Sequence, residues 1–552
     1  MIILIPLGGT GERFKKEGFN KPKALIEVND KPILFHLLDN LNFKNIDFVY
    51  IPYNKEYEKY NFEQLIEKKY NNVVFKFLKL TSNTRGAAET LNIAIKALDY
   101  HDCPVLCIDS DNFYLSDVVS LWNGKNKVFT FKDYSNSDKF SYIDNNNSIQ
   151  KIVEKNKISD LACCGAYGFD SHTALQKYCQ MIIKNNVRQK EEFYTSGVIQ
   201  QMIQDKIIFE GELIMNKDYF SLGTPNQVNE YEHPFLFDLD GTLVNTDHIY
   251  IKVWNEIMKK YNLPIDDHFF EFYIQGKNDL TFLSSIFSTI TKNEISEISK
   301  LKDELFIEYL KNDQNDIFIE GADKFIEKNK NRKMCIVTNC NKDAAKCVIE
   351  ITGLNEYMQF IIASEDCTNH KPHNEPYMKG ISLLNSKKEN CFIFEDSMSG
   401  YKSAKNVNGS KITLIINENN KNIHNSTNEY KITNYNDFDI ELLQGNNITK
   451  ETKELIIQNL PSLPIKDVIF ENINVKTGYI CDVQSLIIEL NDDSKNVILK
   501  IENNDNELSN VAKKLNLYNN ESYFYKEISK EINVKIPYFF NTFMLHNKNA
   551  II

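Results

Sequence analysis

The segment FLFDLDGT, which begins at Phe235, constrains the fold more than any other part of the chain. An apolar run typical of a buried strand ends in two aspartates, followed by glycine and threonine. Because side chains alternate along a strand, Asp238 and Asp240 point in the same direction, into one site. Two close carboxylates repel each other unless a cation lies between them, so the pair predicts a Mg²⁺ site.

Later segments place further polar residues at strand ends. Thr338 follows the strand-like run KMCIV, and Lys371 opens the segment KPHNEPY. Glu395 and Asp396 end the run CFIFED. In an open parallel sheet such strand ends share one edge, where ligands bind. These patterns predict an α/β domain whose active site lies at that edge.

This set of motifs resembles the haloacid dehalogenase superfamily over residues 231–445, with all four motifs in order. The resemblance implies a Rossmann-like domain in which Asp238 is the nucleophile and becomes an aspartyl-phosphate. Asp240 would be the general acid and base, and Thr338 and Lys371 would bind the phosphoryl oxygens. The implied Mg²⁺ ligands are Asp238, Asp240, Glu395 and Asp396.

Residues from about 250 to 325 are helix-rich and interrupt this α/β pattern early, which predicts a helical cap that selects the substrate. The aspartyl-phosphate could pass to water, as in a phosphatase, or to a sugar oxygen, as in a phosphosugar mutase. The sequence leaves both outcomes open.

The first 230 residues also alternate strand-like runs with helical patterns, which predicts another α/β domain. LGGTGERF follows the first strand, and its three glycines let backbone N–H groups point at a phosphate. The spacing is that of neither the P-loop nor GxGxxG. Lys21 and Lys23 follow in NKPKAL and supply positive charge.

The combination of GGxGxR and KPK resembles the sugar-phosphate nucleotidyltransferase family, over residues 1–230. The resemblance implies a Rossmann-like fold in which Arg13 and Lys23 are catalytic. The implied nucleotide-binding residues are Leu7, Gly8, Gly9, Gly11, Gly86 and Ala87. The implied acceptor-binding residues are Glu154, Lys155 and Gly165.

The strand end IDSDNFY would hold Mg²⁺ in the first domain through Asp111, with Asp109 as the alternative. Many members of the family have an aspartate just before Gly-Thr as a second ligand, but this chain has Ser221 there. The metal would then be held by Asp111, phosphates and water, or with help from Asp218.

Residues 451–552 resemble the N-terminal lobe of aminoglycoside phosphotransferase and choline-kinase-like enzymes, an α+β fold. Lys500 on a strand and Glu521 on the next helix match the ion pair that orients ATP phosphates in kinases. Gly478 alone makes a weak nucleotide loop. The family's catalytic and metal-binding aspartates would lie beyond Ile552, so we expect no kinase activity from this segment. We expect it to be part of a longer kinase-containing protein, a shortened gene product or a docking module.

Composition narrows the class of function. The 552 residues carry a formal charge of −12, which argues against nucleic-acid binding. No apolar run is long enough to span a membrane. The eleven cysteines form no CxxC pair and are interpreted as reduced thiols of a cytoplasmic protein.

The resemblances to these families together imply a multifunctional Mg²⁺-dependent enzyme of nucleotide-activated sugar or polyol synthesis, by analogy for surface polysaccharide such as capsule. The expected partners are a nucleoside triphosphate, with CTP favoured over UTP or dTTP, and a phosphorylated sugar or polyol. A choline-phosphate-type cytidylyltransferase fusion is the alternative. The sequence allows an oligomer without specifying one.

Overall fold

The structure, a computed structural model, describes residues 1–417 apart from 136–137, 190–191, 275–278 and 314. Farther along it describes residues 420–421, 427, 429–438, 440, 456–458, 460, 464–471, 481–490, 494–502, 520, 523–524, 526–527, 542–545 and 548–551. The chain divides into two compact units, Met1–Asn436 and Asp437–Ile552.

The first domain is an α/β layer built on a nine-stranded sheet. The strands of this domain are β1 (Ile2–Leu4), β2 (Glu27–Val28), β3 (Lys31–Pro32), β4 (Phe48–Asn54), β5 (Phe75–Leu80), β6 (Val105–Ile108), β7 (Asn112–Tyr114), β8 (Lys127–Lys132), β9 (Ser141–Asn146), β10 (Ser148–Glu154), β11 (Leu161–Phe169), β12 (Glu210–Leu213) and β13 (Tyr219–Ser221). The helices are α1 (Glu12–Lys16), α2 (Ile33–Leu38), α3 (Phe62–Lys69), α4 (Ala87–Ala97), α5 (Val118–Trp122), α6 (His172–Lys184), α7 (Thr195–Gln204) and α8 (Pro225–Glu232).

The strand order of this sheet is β10-β9-β11-β6-β1-β4-β5, and β8 pairs with both β11 and β12. Strands β6, β1, β4 and β5 run parallel, whereas β11 is antiparallel to β6. Strand β1 is apolar on both faces and fully buried, as expected for a central parallel strand. The carboxyl ends of β1 and β6 therefore bring the glycine-rich loop and Asp109 to one edge.

The second domain is built on six parallel strands in the order β16-β15-β14-β17-β18-β19. These strands are β14 (Phe235–Phe237), β15 (Met334–Val337), β16 (Ile361–Ile362), β17 (Phe392–Glu395), β18 (Lys411–Ile415) and β19 (Tyr430–Ile432). The helices are α9 (Asp247–Met258), α10 (Asp267–Phe269), α11 (Asp279–Ile286), α12 (Lys292–Asn312), α13 (Ala322–Lys328), α14 (Lys342–Ile351), α15 (Glu375–Leu383) and α16 (Met398–Lys405), with a π-helical turn at Phe270–Ile274.

Short 3₁₀ helices connect several of these elements. They are Lys23–Leu25, Lys55–Tyr60, Asn216–Asp218, Lys259–Tyr261, Leu354–Glu356, Ser364–Asp366, Lys388–Asn390 and Tyr435–Asp437. Among the helices that the structure describes, none combines the length and the apolar character that crossing a membrane requires.

The helical cap is predicted over residues of about 250–325. Its helices run from α9 to α12, between residues 247 and 312. The next helix, α13, packs on the sheet instead, because the Phe325 ring stacks on Phe235 with ring centres 5.6 Å apart. The two chain segments that enter and leave the cap pair through a bridge between Val244 and Phe318.

Residues 329–333 lie between α13 and β15 of the second domain and contact the first domain; they are named here the interdomain loop. Lys330 Nζ lies 2.5 Å from Asp133 Oδ1 of the first domain. Asn331 Oδ1 accepts a hydrogen bond of 2.9 Å from Ser221 N, and Asn331 Nδ2 donates one of 3.0 Å to Gln227 O. The first two domains therefore pack against each other and form one compact unit, Met1–Asn436.

The second compact unit contains a five-stranded antiparallel sheet in the order β20-β21-β22-β24-β23. Its strands are β20 (Ile465–Glu471), β21 (Cys481–Leu490), β22 (Ser494–Glu502), β23 (Thr542–Leu545) and β24 (Lys548–Ile551). Lys500 lies on β22. Gly478 and Glu521 lie outside the described residues.

Candidate active sites

Lys371 lies at the centre of the second domain's site, near the carboxyl ends of β14 and β17. Its ammonium nitrogen is 2.6 Å from Asp238 Oδ1 and 2.6 Å from Glu395 Oε1. The Lys371 side chain is 3% exposed and the Glu395 side chain is fully buried. Tyr377 donates a further hydrogen bond of 2.7 Å to Glu395 Oε1. One lysine thus pairs with carboxylates that follow or end two adjacent strands.

Carboxylates outnumber cations in this cluster. Burial raises the pKa of Asp238 to about 7, a rise that Lys371 opposes and Glu395 reinforces. Burial raises the pKa of Asp396 well above its usual range, and Asp238 and Glu395 raise it further. Burial works to lower the pKa of Lys371, but the two carboxylates beside it raise that pKa above its ordinary value. A divalent cation would neutralise the excess negative charge.

The geometry of these carboxylates fits a metal ion. Asp238, Glu395 and Asp396 each present an oxygen, and these oxygens lie within 4.8 Å of one another. The Thr242 hydroxyl lies 3.3 Å from Asp238 Oδ2 and 3.4 Å from Asp396 Oδ1. Gly241 has φ +81°, and a side chain there would overlap the Asp396 carboxylate. Oxygen ligands of this kind suit Mg²⁺.

Asp240 has different partners from Asp238. Thr246 Oγ1 donates a hydrogen bond to Asp240 Oδ1, and Cys340 Sγ donates one of 2.8 Å to Asp240 Oδ2. Burial raises the pKa of Cys340 and Asp240 raises it further, so the thiol keeps its proton. Thr338, which follows β15, is buried, and its hydroxyl accepts a hydrogen bond of 3.0 Å from Cys340 N. The sequence did not indicate that Cys340 contacts Asp240.

The cap contributes a partly buried cation near this edge. Lys302 on α12 lies 2.8 Å from an oxygen of Asp279 and 3.2 Å from one of Asp303. Burial works to lower the pKa of Lys302, but these carboxylates raise it above its ordinary value. Asp303 forms a hydrogen bond with Asn341, in the loop after β15.

An ion pair marks the first domain's site. Lys23 Nζ lies 2.7 Å from Asp111 Oδ2, and both side chains are partly exposed. The Asp111 carbonyl accepts a hydrogen bond of 2.7 Å from Leu222 N, just after β13. A side chain at Gly223 would overlap the Asp111 carboxylate. The closing segment YFSLGT therefore lies directly against Asp111.

The glycine-rich loop lies against the segment TRGAAET. Leu7 N donates a hydrogen bond of 2.8 Å to Pro52 O, which holds the start of the loop to β4. A side chain at Gly8 would overlap the hydroxyls of Thr84 and Thr90. These two hydroxyls are themselves 2.7 Å apart. The two segments predicted to bind the nucleotide thus meet at one edge of the sheet.

Asp109 lies deeper than Asp111. Burial raises the pKa of Asp109 to about 7, and Asp111 adds to that rise. Lys23 opposes the rise and Glu154 reinforces it. Gly165 has φ +83°, and a side chain there would overlap the Asp109 carboxylate. Candidate metal ligands and candidate acceptor residues therefore share one site, in which both aspartates remain candidates for the metal.

The other predicted residues of the first domain surround these contacts. Gly11 and Gly86 immediately precede α1 and α4, Ala87 begins α4, Arg13 is exposed on α1, and Gly9 has open space around its Cα. The Asp218 carboxylate accepts a hydrogen bond of 2.8 Å from Ser116 Oγ. The Ser221 backbone is held by the interdomain loop, as described above.

Comparison with known proteins identifies both domains. Residues 2–217 match the family model for nucleotidyl transferases. Residues 235–414 match the model for haloacid dehalogenase-like hydrolases. Residues 2–217 are therefore a nucleotidyl transferase domain and residues 235–414 a haloacid dehalogenase-like hydrolase domain, which confirms the two families at this level, whereas the sugar-phosphate substrate of the first stays a prediction. The kinase-like third segment stays a prediction.

Individual relatives are distant. The bifunctional protein GlmU of Methanocaldococcus jannaschii is 26% identical over 251 residues, which are 45% of this chain and 56% of that protein. The validoxylamine A 7′-phosphate phosphatase of Streptomyces hygroscopicus is 23% identical and covers 31% of this chain and 79% of its own. The pyrophosphatase PpaX of Bacillus cereus is 27% identical over 29% of this chain and 73% of its own.

Proposed function

We propose that the second domain cleaves a phosphate monoester by way of an aspartyl-phosphate. The observation that carries this proposal is the buried Lys371 ammonium, 2.6 Å from both Asp238 and Glu395, beside the Asp396 carboxylate. A carboxylate nucleophile needs a fixed cation to approach an anionic phosphoryl group, and Lys371 supplies it.

The reaction would proceed in two steps. A carboxylate oxygen of Asp238 bonds to phosphorus while the bond to the leaving alcohol breaks, and Asp240 gives that alcohol its proton. Water then attacks the aspartyl-phosphate, Asp240 takes the proton, and Asp238 is regenerated as phosphate leaves. Thr338 and Lys371 would hold the phosphoryl oxygens throughout.

Asp238, Asp396 and the Asp240 carbonyl, supported by Glu395, would hold Mg²⁺. When bound, the ion would offset the negative charge of the phosphoryl group.

The test is phosphate release from a panel of sugar and polyol phosphates, with Mg²⁺ and after chelation. Asp238→Asn should abolish release by removing the nucleophile, and chelation should do the same. Asp323→Asn on the exposed face of α13 is the matched control. Turnover by Asp238→Asn at the wild-type rate would contradict the proposal. A mutase would interconvert sugar phosphates without net phosphate release.

Inorganic pyrophosphate is a second candidate substrate for this domain. One relative is a pyrophosphatase. Nucleotidyl transfer releases pyrophosphate, so its hydrolysis by the same chain would pull that transfer forward. Rapid phosphate release from pyrophosphate, lost in Asp238→Asn, would favour this candidate over the monoesters.

We also propose that the first domain transfers a nucleotidyl group from a nucleoside triphosphate to a phosphorylated sugar or polyol. An acceptor phosphate oxygen bonds to the α-phosphorus, the bond to the β-phosphate bridge breaks, and pyrophosphate leaves. No general base is needed, because the acceptor oxygen is already ionised. Lys23 and Arg13 would neutralise the developing charge.

Asp111 or Asp109 would hold Mg²⁺ in this domain, where the ion would offset triphosphate charge. The 2.7 Å contact between Lys23 Nζ and Asp111 Oδ2 supports the proposal that Lys23 and Asp111 belong to one active site. Pyrophosphate release with each triphosphate and an acceptor panel is the test. Lys23→Ala should lower the rate at least about a hundredfold, by analogy with loss of a charge-stabilising group. Lys21→Ala, which removes an exposed pair with Glu27, is the control and should change little.

The finer assignments are also proposals. CTP as donor, a role in surface polysaccharide synthesis, the domain boundaries at 230 and 445, and the kinase-like third segment follow from sequence resemblance. A choline-phosphate-type fusion is the alternative. A cytoplasmic location is proposed because the cysteines are interpreted as reduced thiols.

A further inference from the structure

The segment Phe193–Ser196 connects the two halves of the nucleotidyltransferase site. On one side, Phe193 N donates a hydrogen bond of 3.0 Å to Arg85 O, and Phe193 O accepts one of 3.0 Å from Ala88 N. Gly86 has φ +135°, and a side chain there would overlap the Phe193 backbone. This side of the segment is therefore fixed against the predicted nucleotide-binding residues.

On the other side, the same segment holds the two predicted acceptor residues. Lys155 Nζ donates a hydrogen bond of 2.7 Å to the Tyr194 hydroxyl and lies 4.7 Å from the centre of its ring. Ser196 Oγ donates one of 2.9 Å to Glu154 Oε2, and Ser141 Oγ donates to the same oxygen. Each acceptor residue thus has its own partner.

The backbone of Lys155 shows that its position is costly to maintain. Lys155 has φ +48°, a left-handed conformation that a lysine rarely adopts. Lys155 N donates a hydrogen bond of 2.9 Å to Phe140 O, which stabilises this turn. Strained residues of this kind persist where the surroundings hold them, and they are concentrated at functional sites.

The partner of the Lys155 ammonium is a neutral group. The Tyr194 hydroxyl can therefore hold the ammonium in position without cancelling its positive charge. Among nearby carboxylates, Glu154 Oε1 lies 3.8 Å from Lys155 Nζ, and against the effect of burial Glu192 also raises the pKa of Lys155. The other oxygen of Glu154 accepts the two serine hydroxyls. The ammonium keeps a net attraction for a phosphate, and its long side chain is ordered before the ligand arrives.

We infer that Tyr194 is a positioning residue for the acceptor, whose hydroxyl aims the Lys155 ammonium at the phosphate monoester that attacks the nucleotide. The inference rests on the nucleotidyl transfer proposed above. It predicts an acceptor whose phosphate is a dianion, and it predicts that Tyr194 acts through Lys155 rather than by itself.

The test uses the full chain and measures pyrophosphate release with CTP, UTP, dTTP or ATP and four probes: glucose 1-phosphate, ribitol 5-phosphate, glycerol 3-phosphate and phosphocholine. With the best pair, Tyr194→Phe should raise the acceptor KM about tenfold, the effect of losing a hydrogen bond to a charged group. The triphosphate KM and kcat should change less than about twofold, because the segment's backbone contacts remain.

A double-mutant cycle identifies the route of the effect. In a Lys155→Met background, Tyr194→Phe should have almost no further effect, because the two changes remove one interaction. The matched control is Tyr178→Phe on α6, which removes the hydroxyl that donates a hydrogen bond to Asp205, just after α7. Phosphatase activity of the same chain on p-nitrophenyl phosphate monitors folding.

Three results would overturn the inference. A wild-type acceptor KM in Tyr194→Phe would show that the hydroxyl does not position the acceptor. Additive effects in the double variant would show that Tyr194 does not act through Lys155. No pyrophosphate from the wild type with any pair would overturn the proposed transfer first, and the inference with it.

Discussion

At the scale of single residues, Lys371 is the group on which the phosphatase site depends. Lys371→Met should lower kcat for phosphate release by about a hundredfold or more, because a fixed cation is lost from the phosphoryl site. It should also reduce the free energy of unfolding by about 3–5 kcal/mol, since buried carboxylates lose their partner. Steady-state kinetics and urea unfolding measure both effects.

Lys402→Met, on the exposed face of α16, is the control for Lys371→Met. Wild-type kinetics in Lys371→Met would contradict the assigned role.

His36 makes the stability of the first domain depend on pH. Its Nε2 lies 2.9 Å from Val28 O, and burial lowers the pKa of His36 from 6.5 to about 4. Below pH 6.5 the unfolded chain binds a proton that the folded chain does not, so stability falls as the pH falls from 6.5 towards 4. This group alone should remove about 2 kcal/mol between pH 7 and pH 5.

Urea unfolding of wild type and His36→Gln at these two pH values measures that loss. The variant should be less stable at pH 7, and its disadvantage should shrink by about 2 kcal/mol at pH 5. His101→Gln, at an exposed position, should parallel the wild type. Equal pH slopes in His36→Gln and wild type would contradict the prediction.

Site residues could be predicted from the sequence only where a sequence pattern fixes their position in the fold. Asp238, Glu395 and Asp396 lie at strand ends, so strand periodicity and motif order were enough to predict that they lie close together. Tyr194 and Cys340 contact their partners through packing between elements, which no sequence spacing specifies. Ser221 illustrates the same limit, because its backbone partner, Asn331, comes from another domain.

At the scale of elements, helix α16 sets the position of Glu395. A side chain at Gly400 would overlap the Glu395 carboxylate, which must then move away from Lys371. Gly400→Ala should therefore lower phosphate release by about a hundredfold, as expected for a displacement of roughly 1 Å. Pyrophosphate release by the first domain should not change.

Lys402→Ala on the same helix is the control for Gly400→Ala and should retain both activities. Unimpaired phosphate release by Gly400→Ala would show that α16 adjusts without moving Glu395.

Elements were predicted better where their pattern was long or repeated. The two α/β folds followed from buried strands that alternate with helices and are confirmed, but the antiparallel strands in the first domain's mixed sheet were not predicted. The far boundary of the cap, predicted at about 325, falls within the segment that contains α13. The contacts of Phe325 with Phe235 and Phe394 place that helix against the core of the sheet.

At the scale of the whole molecule, the interdomain loop should make the first two domains unfold together. Lys330→Met would remove the cation that pairs with the buried Asp133 carboxylate and leave that carboxylate the hydroxyls of Ser135 and Tyr142. We expect the free energy of unfolding to fall by about 3 kcal/mol, the cost of breaking a buried ion pair. In urea, the two activities should be lost together in the wild type and at separate concentrations in the variant.

Lys328→Ala, at an exposed position of α13, is the control for the interface. Coincident loss of both activities in Lys330→Met would show that other contacts are enough to make the two domains unfold together. The sequence did not predict this interface, because its side chains resemble ordinary surface lysines and asparagines until the two domains meet.

Only His233 and Pro234 separate the last helix of the first domain from the first strand of the second. Arg332 donates a hydrogen bond of 3.0 Å to His233 O, so even this junction is held in place. A recombination event that exchanged one domain for a homologue would separate Asn331 from Ser221 and Lys330 from Asp133. Substitutions on one side of this junction should therefore be matched by changes in the opposite domain.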